Sequence, residues 1–262
     1  MIIKNIMVKA KKSLLNLLIR QLRAWHRKLG IITAVFLIFL ASTGIIINHA
    51  NLFLLDSTHV TSKVLLNFYG IKAPTDMRFY GNGQIAVTDN FVWLNHKYLL
   101  EGNETIVAAT KYQSMWLVVT SEQLYLYTAD GELVDQLDSA SGVPEHISAV
   151  AVTQQNIILK AGNQVLQTDS DLLTWQKVKA RQEIIWKEPE NVISTNHHQQ
   201  KQQAILQFKS RFLNWEQVLL DVHSGRIFGD VGVLVSDVIA ILLISLSLSG
   251  LYIWLRYSKN KR

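Results

Sequence analysis

The chain has no cysteine among its 262 residues. That absence excludes disulfides, thiolate zinc sites, iron–sulfur clusters, covalently attached haem and thiol catalysis. It also lacks G-x-S-x-G, H-E-x-x-H, a phosphate-binding P-loop and zinc-finger spacing. Gly81-Asn82-Gly83 is the nearest approach to a dinucleotide-binding fingerprint, but a third glycine and a following helix are missing, so it reads as a turn. Acidic residues are absent from both ends. Residues 1–28 carry eight Lys/Arg and no Asp or Glu, and the tail carries Arg256, Lys259, Lys261 and Arg262, again without an acid.

Those twelve residues decide what the net charge of +6 means. The part between them holds 14 basic residues against all 20 acidic ones, so the basic character belongs to the ends. Beside each basic end lies a long uncharged run: Leu29–Ile47, 19 residues, and Val238–Leu255, 18 residues. About 20 apolar residues are needed for a helix to cross the roughly 30 Å of a bilayer core. Two spans with basic flanks put both termini in the cytoplasm by the positive-inside rule and send the acidic middle across. The charge therefore speaks of lipid and membrane orientation, and no nucleic-acid partner is expected.

The first apolar run is longer than the 7–15 residues of a signal-peptide core, and Ala41-Ser42-Thr43 is a poor cleavage site. It reads as an uncleaved anchor. The expected layout is a basic amphipathic cytoplasmic segment over 1–28 and a transmembrane helix over 29–48. A periplasmic domain follows over 49–230, then a second transmembrane helix over 231–255 and a basic cytoplasmic tail over 256–262. The leading segment, with Leu14, Leu15, Leu17, Leu18, Ile19 and Leu22 among its lysines and arginines, suits either a helix lying on an anionic leaflet or a plain topogenic flank. Ala41, Gly44, Ser245, Ser249 and Gly250 are small residues that let two spans approach closely. Trp25, Tyr252, Trp254 and Tyr257 fall at the cytoplasmic ends. Asp237 reads as a first-turn carboxylate of the second span, stabilised by the helix dipole.

Within the exported part, residues 79–180 break into short apolar runs separated by turn signals. Strands are expected at 84–88, 91–95, 105–110, 115–120, 123–128, 132–136, 147–153, 156–160, 164–168 and 174–178. Two copies of a strand–turn pattern start at Ile106 and Ile147, 41 residues apart, and a third, shorter copy begins near Phe79. That period is close to a four-stranded propeller blade. Three blades cannot close a ring of four or more, so an open, propeller-like stack or a sandwich is expected. Trp93, Trp116 and Trp175 sit in strands and read as core.

Residues 196–223 read as helical. Over 199–212, Ile205, Phe208 and Phe212 share a side, although alternation keeps a strand possible. Trp215, Val218, Leu219 and Val222 form an i, i+3, i+4, i+7 stripe, with Asn214 placed to cap it and Gly225 to end it. The adjacent His197-His198 in a glutamine-rich stretch reads as solvated.

The sequences WHRKLG, STGIIINH and LLD around the first span, LNFYGI at 66–71, and WEQVLLDVHSGRIFG at 215–229 followed by LSGLYIWL resemble the PepSY-associated transmembrane proteins of bacteria. The resemblance covers both ends well and the middle loosely. It implies a two-pass inner-membrane protein of a Gram-negative bacterium with a periplasmic domain. Some relatives with more spans are linked to periplasmic iron reduction, which directs attention to histidines near the span ends. Imidazole is an axial ligand for haem b, which needs no cysteine. His26 and His49 are 23 residues apart, about 35 Å of helix, too far to share an iron. His49 and His223, both expected at the outer boundary, could share one. Alternatively, His26 anchors at the headgroups and His223 complements a helix C-terminus. The reading that follows is a non-enzymatic membrane protein presenting a β-rich binding domain to a protein partner in an envelope complex. Its rival is a haem-b electron-transfer subunit tied to periplasmic iron reduction.

Overall fold

The computed structural model describes residues 2–169, 172, 174–178, 184–190 and 197–259, with side chains except at 2–19, 197 and 256–259. The chain divides into two compact units: residues 1–59 with 213–262, and residues 60–212.

In the first unit the leading basic segment and the first apolar run form one uninterrupted helix, α1 (Ile2–Asn48). Nothing in the sequence between them breaks a helix. The second apolar run forms α5 (Gly229–Lys259). Two stretches are long and apolar enough to cross a membrane: Arg20–Asn48, within α1, and Arg226–Leu255, which takes in most of α5 and the turn before it. α5 begins earlier than the sequence suggests. Asp230, not Asp237, occupies its first turn, and Asp237 lies two turns further on, exposed. The dipole account of Asp237 is therefore withdrawn, because the field it invokes fades beyond the first turn.

Before α5 stands α4 (Trp215–Ser224), with the ends its sequence predicts. Asn214 Oδ1 accepts from the Gln217 amide at 2.8 Å, and Gly225 closes the helix at φ 78°. A single 3-10 turn, Arg226–Phe228, then leads into α5.

The polypeptide leaves this unit after His59 and returns at Leu213, and the two strands are tied where they pass. His59 and Asn214 form an antiparallel bridge. The Trp215 amide donates to Thr58 O, the Glu216 amide to Leu55 O, and Asn214 Nδ2 to Asp56 O.

The second unit carries three four-stranded antiparallel meanders. Sheet one is β1 (Met77–Tyr80), β2 (Ile85–Thr88), β3 (Phe91–Leu94) and β4 (Lys97–Glu101). Sheet two is β5 (Ile106–Tyr112), β6 (Met115–Thr120), β7 (Leu124–Tyr127) and β8 (Leu133–Leu137), and sheet three is β9 (Ile147–Val152), β10 (Ile157–Ala161), β11 (Gln164–Thr168) and β12 (Trp175–Lys177). The leading strands β1, β5 and β9 are neighbours, as in the blades of a propeller. Arg78 Nη1 donates to Ile106 O, and the Ile147 amide to Ser121 O. The stack is open. One extended segment crosses between its first and last sheets: the Lys187 amide donates to Val150 O on β9 and the Glu190 amide to Phe79 O on β1.

Alternation along the strands divides the core. Ile85, Val87, Val92 and Leu94 face a large cluster shared by all three sheets, together with Trp116, Leu117, Val119, Val150 and Leu159. Ala86, Phe91 and Trp93 face the other way, onto α3 (His197–Ser210), through Ala204 and Phe208. Sheet one is thus buried on both faces, and this is why β2 and β3 read as continuous apolar runs. α3 follows the helical option, with Ala204 and Phe208 buried, Ile205 half-buried and Phe212 beyond the helix and half-exposed. Phe212 still meets Phe91 edge-on at 5.9 Å. Trp93 and Trp116 are buried, and Trp175 packs at the core's margin. A short helix, α2 (Lys63–Phe68), capped by Ser62, opens the unit.

Candidate functional site

Two side-chain contacts join the helices of this unit, one between α1 and α5 and one between α1 and α4, and each involves a histidine. His26, on α1, places Nδ1 2.8 Å from Ser249 Oγ on α5. His223, in the last turn of α4, places Nδ1 2.7 Å from Thr43 Oγ1 on α1. Small residues make both approaches possible. A Cβ on Gly250 would stand 3.2 Å from His26 Cε1, and one on Gly44 would stand 3.8 Å from His223 Cε1.

The hydroxyl partners set the tautomers. Thr43 Oγ1 has one proton and donates it back along its own helix to Phe39 O at 2.9 Å. With its proton on that carbonyl the hydroxyl accepts in the contact with His223, an arrangement that puts the ring proton on Nδ1. Ser249 Oγ likewise lies 3.0 Å from Leu246 O, and a proton given to that carbonyl makes His26 Nδ1 the donor in the same way. His49 reaches the same state by another route, its Nδ1–H donating to Ile45 O at 2.9 Å. In the neutral ring each arrangement leaves Nε2 as a lone pair, the form in which imidazole accepts a hydrogen bond or ligates a metal.

The three histidines do not come together. Thr43, which holds His223, precedes His49 by six residues, about 9 Å along the helical screw and about 120° around it. His49 is exposed on that other side, whereas His223 is half-buried against Thr43 and Gly44. The donor chemistry of each ring suits haem, and each ring is held through Nδ1 by a partner of its own. Among the described residues no cluster of three or more His, Asp or Glu is arranged for a metal ion. His198 is exposed, and the side chain of His197 lies outside the described residues.

Sequence reasoning singled out Gly44 and Gly250, and Gly225 as a helix end, but missed Gly232 and its contact with Gly225. A Cβ on Gly232 would collide with the Gly225 carbonyl, so the turn after α4 lies directly on the first turns of α5. The signal available was two glycines seven residues apart around a predicted helix end.

In the β-rich unit the best-defined polar group is Asp89, in the β2–β3 turn. Its Oδ1 accepts from the Thr75 amide at 2.9 Å, the Thr75 hydroxyl at 2.8 Å and the Asp76 amide at 2.8 Å. Burial pushes its carboxyl up, but the donations from Asp76 and Thr75 outweigh that and hold it below the usual carboxylate range. Burial raises the Tyr80 phenol, although Arg78 acts against it. Burial also raises Tyr125, reinforced by the Glu104 carboxylate. These are structural tyrosines, buried or half-buried in the sheets.

A search of curated proteins returns no match. The family profile described as the PepSY-associated TM region matches residues 7–257, from within α1 almost to the end of α5. With two membrane-length apolar helices at its ends and a match running across nearly all of its length, the chain belongs to the PepSY-associated transmembrane family.

Proposed function

We propose that this protein presents its β-rich domain in the periplasm, from an inner membrane it crosses twice with both termini in the cytoplasm, as a non-enzymatic binding module of an envelope complex. The observation that carries this reading is the insertion itself. A domain of three meanders interrupts a helical unit, and its entry and exit strands are tied beside α4 by the His59–Asn214 bridge. The concentration of Lys and Arg at the two ends supports the orientation.

Topology reporters test the frame. A periplasm-dependent phosphatase should be active when fused near residue 70 or 150 and inactive at residue 262, and activity at 262 would refute it. In-cell crosslinking from exposed positions of the β-rich unit should then capture a stoichiometric protein partner.

The lone-pair Nε2 atoms of His26, His49 and His223 favour a second reading, in which the chain holds haem b and serves electron transfer to a periplasmic iron acceptor. Visible spectra of the detergent-purified protein, expressed with ample haem, decide it. A Soret band with sharp reduced α and β bands, lost in His223→Ala or His26→Ala, supports the reading, and a colourless folded preparation retires it.

A further inference from the structure

Between α1, α4 and α5 lies a cavity of about 580 Å³, within the range of small-molecule sites. Its walls include Phe36 and Phe39 of α1, Val222 of α4, Phe228, and Val235 and Ile239 of α5. The α1 and α5 walls belong to the two membrane-length apolar stretches, so an occupant reaches the cavity from the lipid phase. Two lining side chains are polar, His223 and Ser236. No lining side chain carries a fixed charge.

Those two polar groups define what belongs there. His223 spends Nδ1 on Thr43, and with the ring proton there its Nε2 lone pair has no hydrogen-bond partner among the described residues. Ser245, Ser247 and Ser249, further along α5, all return their hydroxyls to carbonyls of their own helix, but Ser236 has no such bond. Neither atom is sealed inside the protein. A fully apolar occupant, such as an acyl chain, leaves both unsatisfied in a medium where an unmade hydrogen bond is costly. A phospholipid headgroup brings a phosphate that no lining cation meets. A neutral ring hydroxyl satisfies the acceptor at Nε2, and a ring oxygen can accept from Ser236.

We infer that the cavity binds an isoprenoid quinol, with its hydroxylated ring at His223 and Ser236 and its tail along the apolar walls toward the bilayer. The inference rests on reading α1 and α5 as spans. A donor-bearing ring suits a lone pair better than a ring with acceptors alone, so the site favours quinol over quinone.

The test uses the full chain in phospholipid nanodiscs, titrated with decylubiquinol and decylubiquinone under anaerobic conditions. Quinol should bind more tightly than quinone. Loss of one hydrogen bond in Ser236→Ala should weaken quinol about fivefold while thermal unfolding stays unchanged. Val235→Phe, which fills the cavity without touching the polar pair, should abolish binding of both. Equal quinol and quinone binding, or quinol binding indifferent to both substitutions in a folded protein, overturns the proposal and leaves a lipid-filled groove. Organic extraction of the purified protein gives an independent readout: a quinone in molar ratio supports the site, and phospholipid alone refutes it. Release of the chain from membranes by alkaline carbonate would instead sink the spans themselves, an outcome distinct from loss of the quinol preference.

Discussion

Gly232 has the least room of any glycine in the helical unit. An added methyl meets the Gly225 carbonyl and Phe228 Cβ, backbone and short side chain that cannot swing away. Overpacking of this kind costs about 1–3 kcal/mol. Gly232→Ala should lower the thermal midpoint of the detergent-purified protein, whereas Gly44→Ala, with 3.8 Å to its nearest neighbour, should leave it nearly unchanged. Asp89 invites a test of a different kind. Its folded carboxyl lies below its unfolded value, so the stability it contributes is present above the unfolded value and is lost as pH falls through the folded one. Asp89→Asn removes the charge from three donor contacts, each worth about 1 kcal/mol or more net. The variant should be less stable than the parent at neutral pH, and the gap should narrow in acid denaturation series below about pH 4.

At the scale of elements, caps proved easier to read than edges. Asn214, Gln217 and Gly225 marked α4 because cap chemistry is local, and Asn214→Ala should cost about 1 kcal/mol in chemical denaturation. Strands β6 and β11 fall on their predicted residues for a similar reason, each being an apolar or alternating run between clear turns. β1 and β4 escaped notice. β1 carries Arg78 at its centre, and that arginine is accommodated by reaching Ile106 O on the neighbouring sheet, a contact invisible in sequence. β4 follows a two-residue turn at Asn95-His96, both residues at positive φ. Such turns usually announce themselves by a glycine in the second place, and histidine hides this one. The helix runs through residue 28 without a break, because a change of charge does not end a helix. The histidine contacts were equally illegible: whether His26 and Thr43 face the other helices depends on rotation about α1, and the same helix turned by about 100° would present different residues.

For the whole molecule, the 41-residue repeat foretold blades and the count of blades foretold an open stack, while the segment at 184–190 that crosses from β9 to β1 had no sequence signature. Its hold includes two backbone hydrogen bonds, which side-chain composition does not encode, and the carboxylate of Glu190, which accepts from the Asn82 amide. The tie at the junction of the two units carries a different implication. Paired antiparallel residues sit about 5 Å apart, so His59 and Asn214 deliver the two ends of residues 60–212 to nearly the same point. A stretch whose ends meet is a cassette. Residues 61–211 should be exchangeable for a short glycine-rich turn, leaving a chain that still integrates into membranes and still unfolds cooperatively in detergent. The excised piece, closed by the same geometry, should tolerate new termini cut into any of its hairpin turns. On that view the frame and what hangs from it answer to separate pressures, and one can be rebuilt without consulting the other.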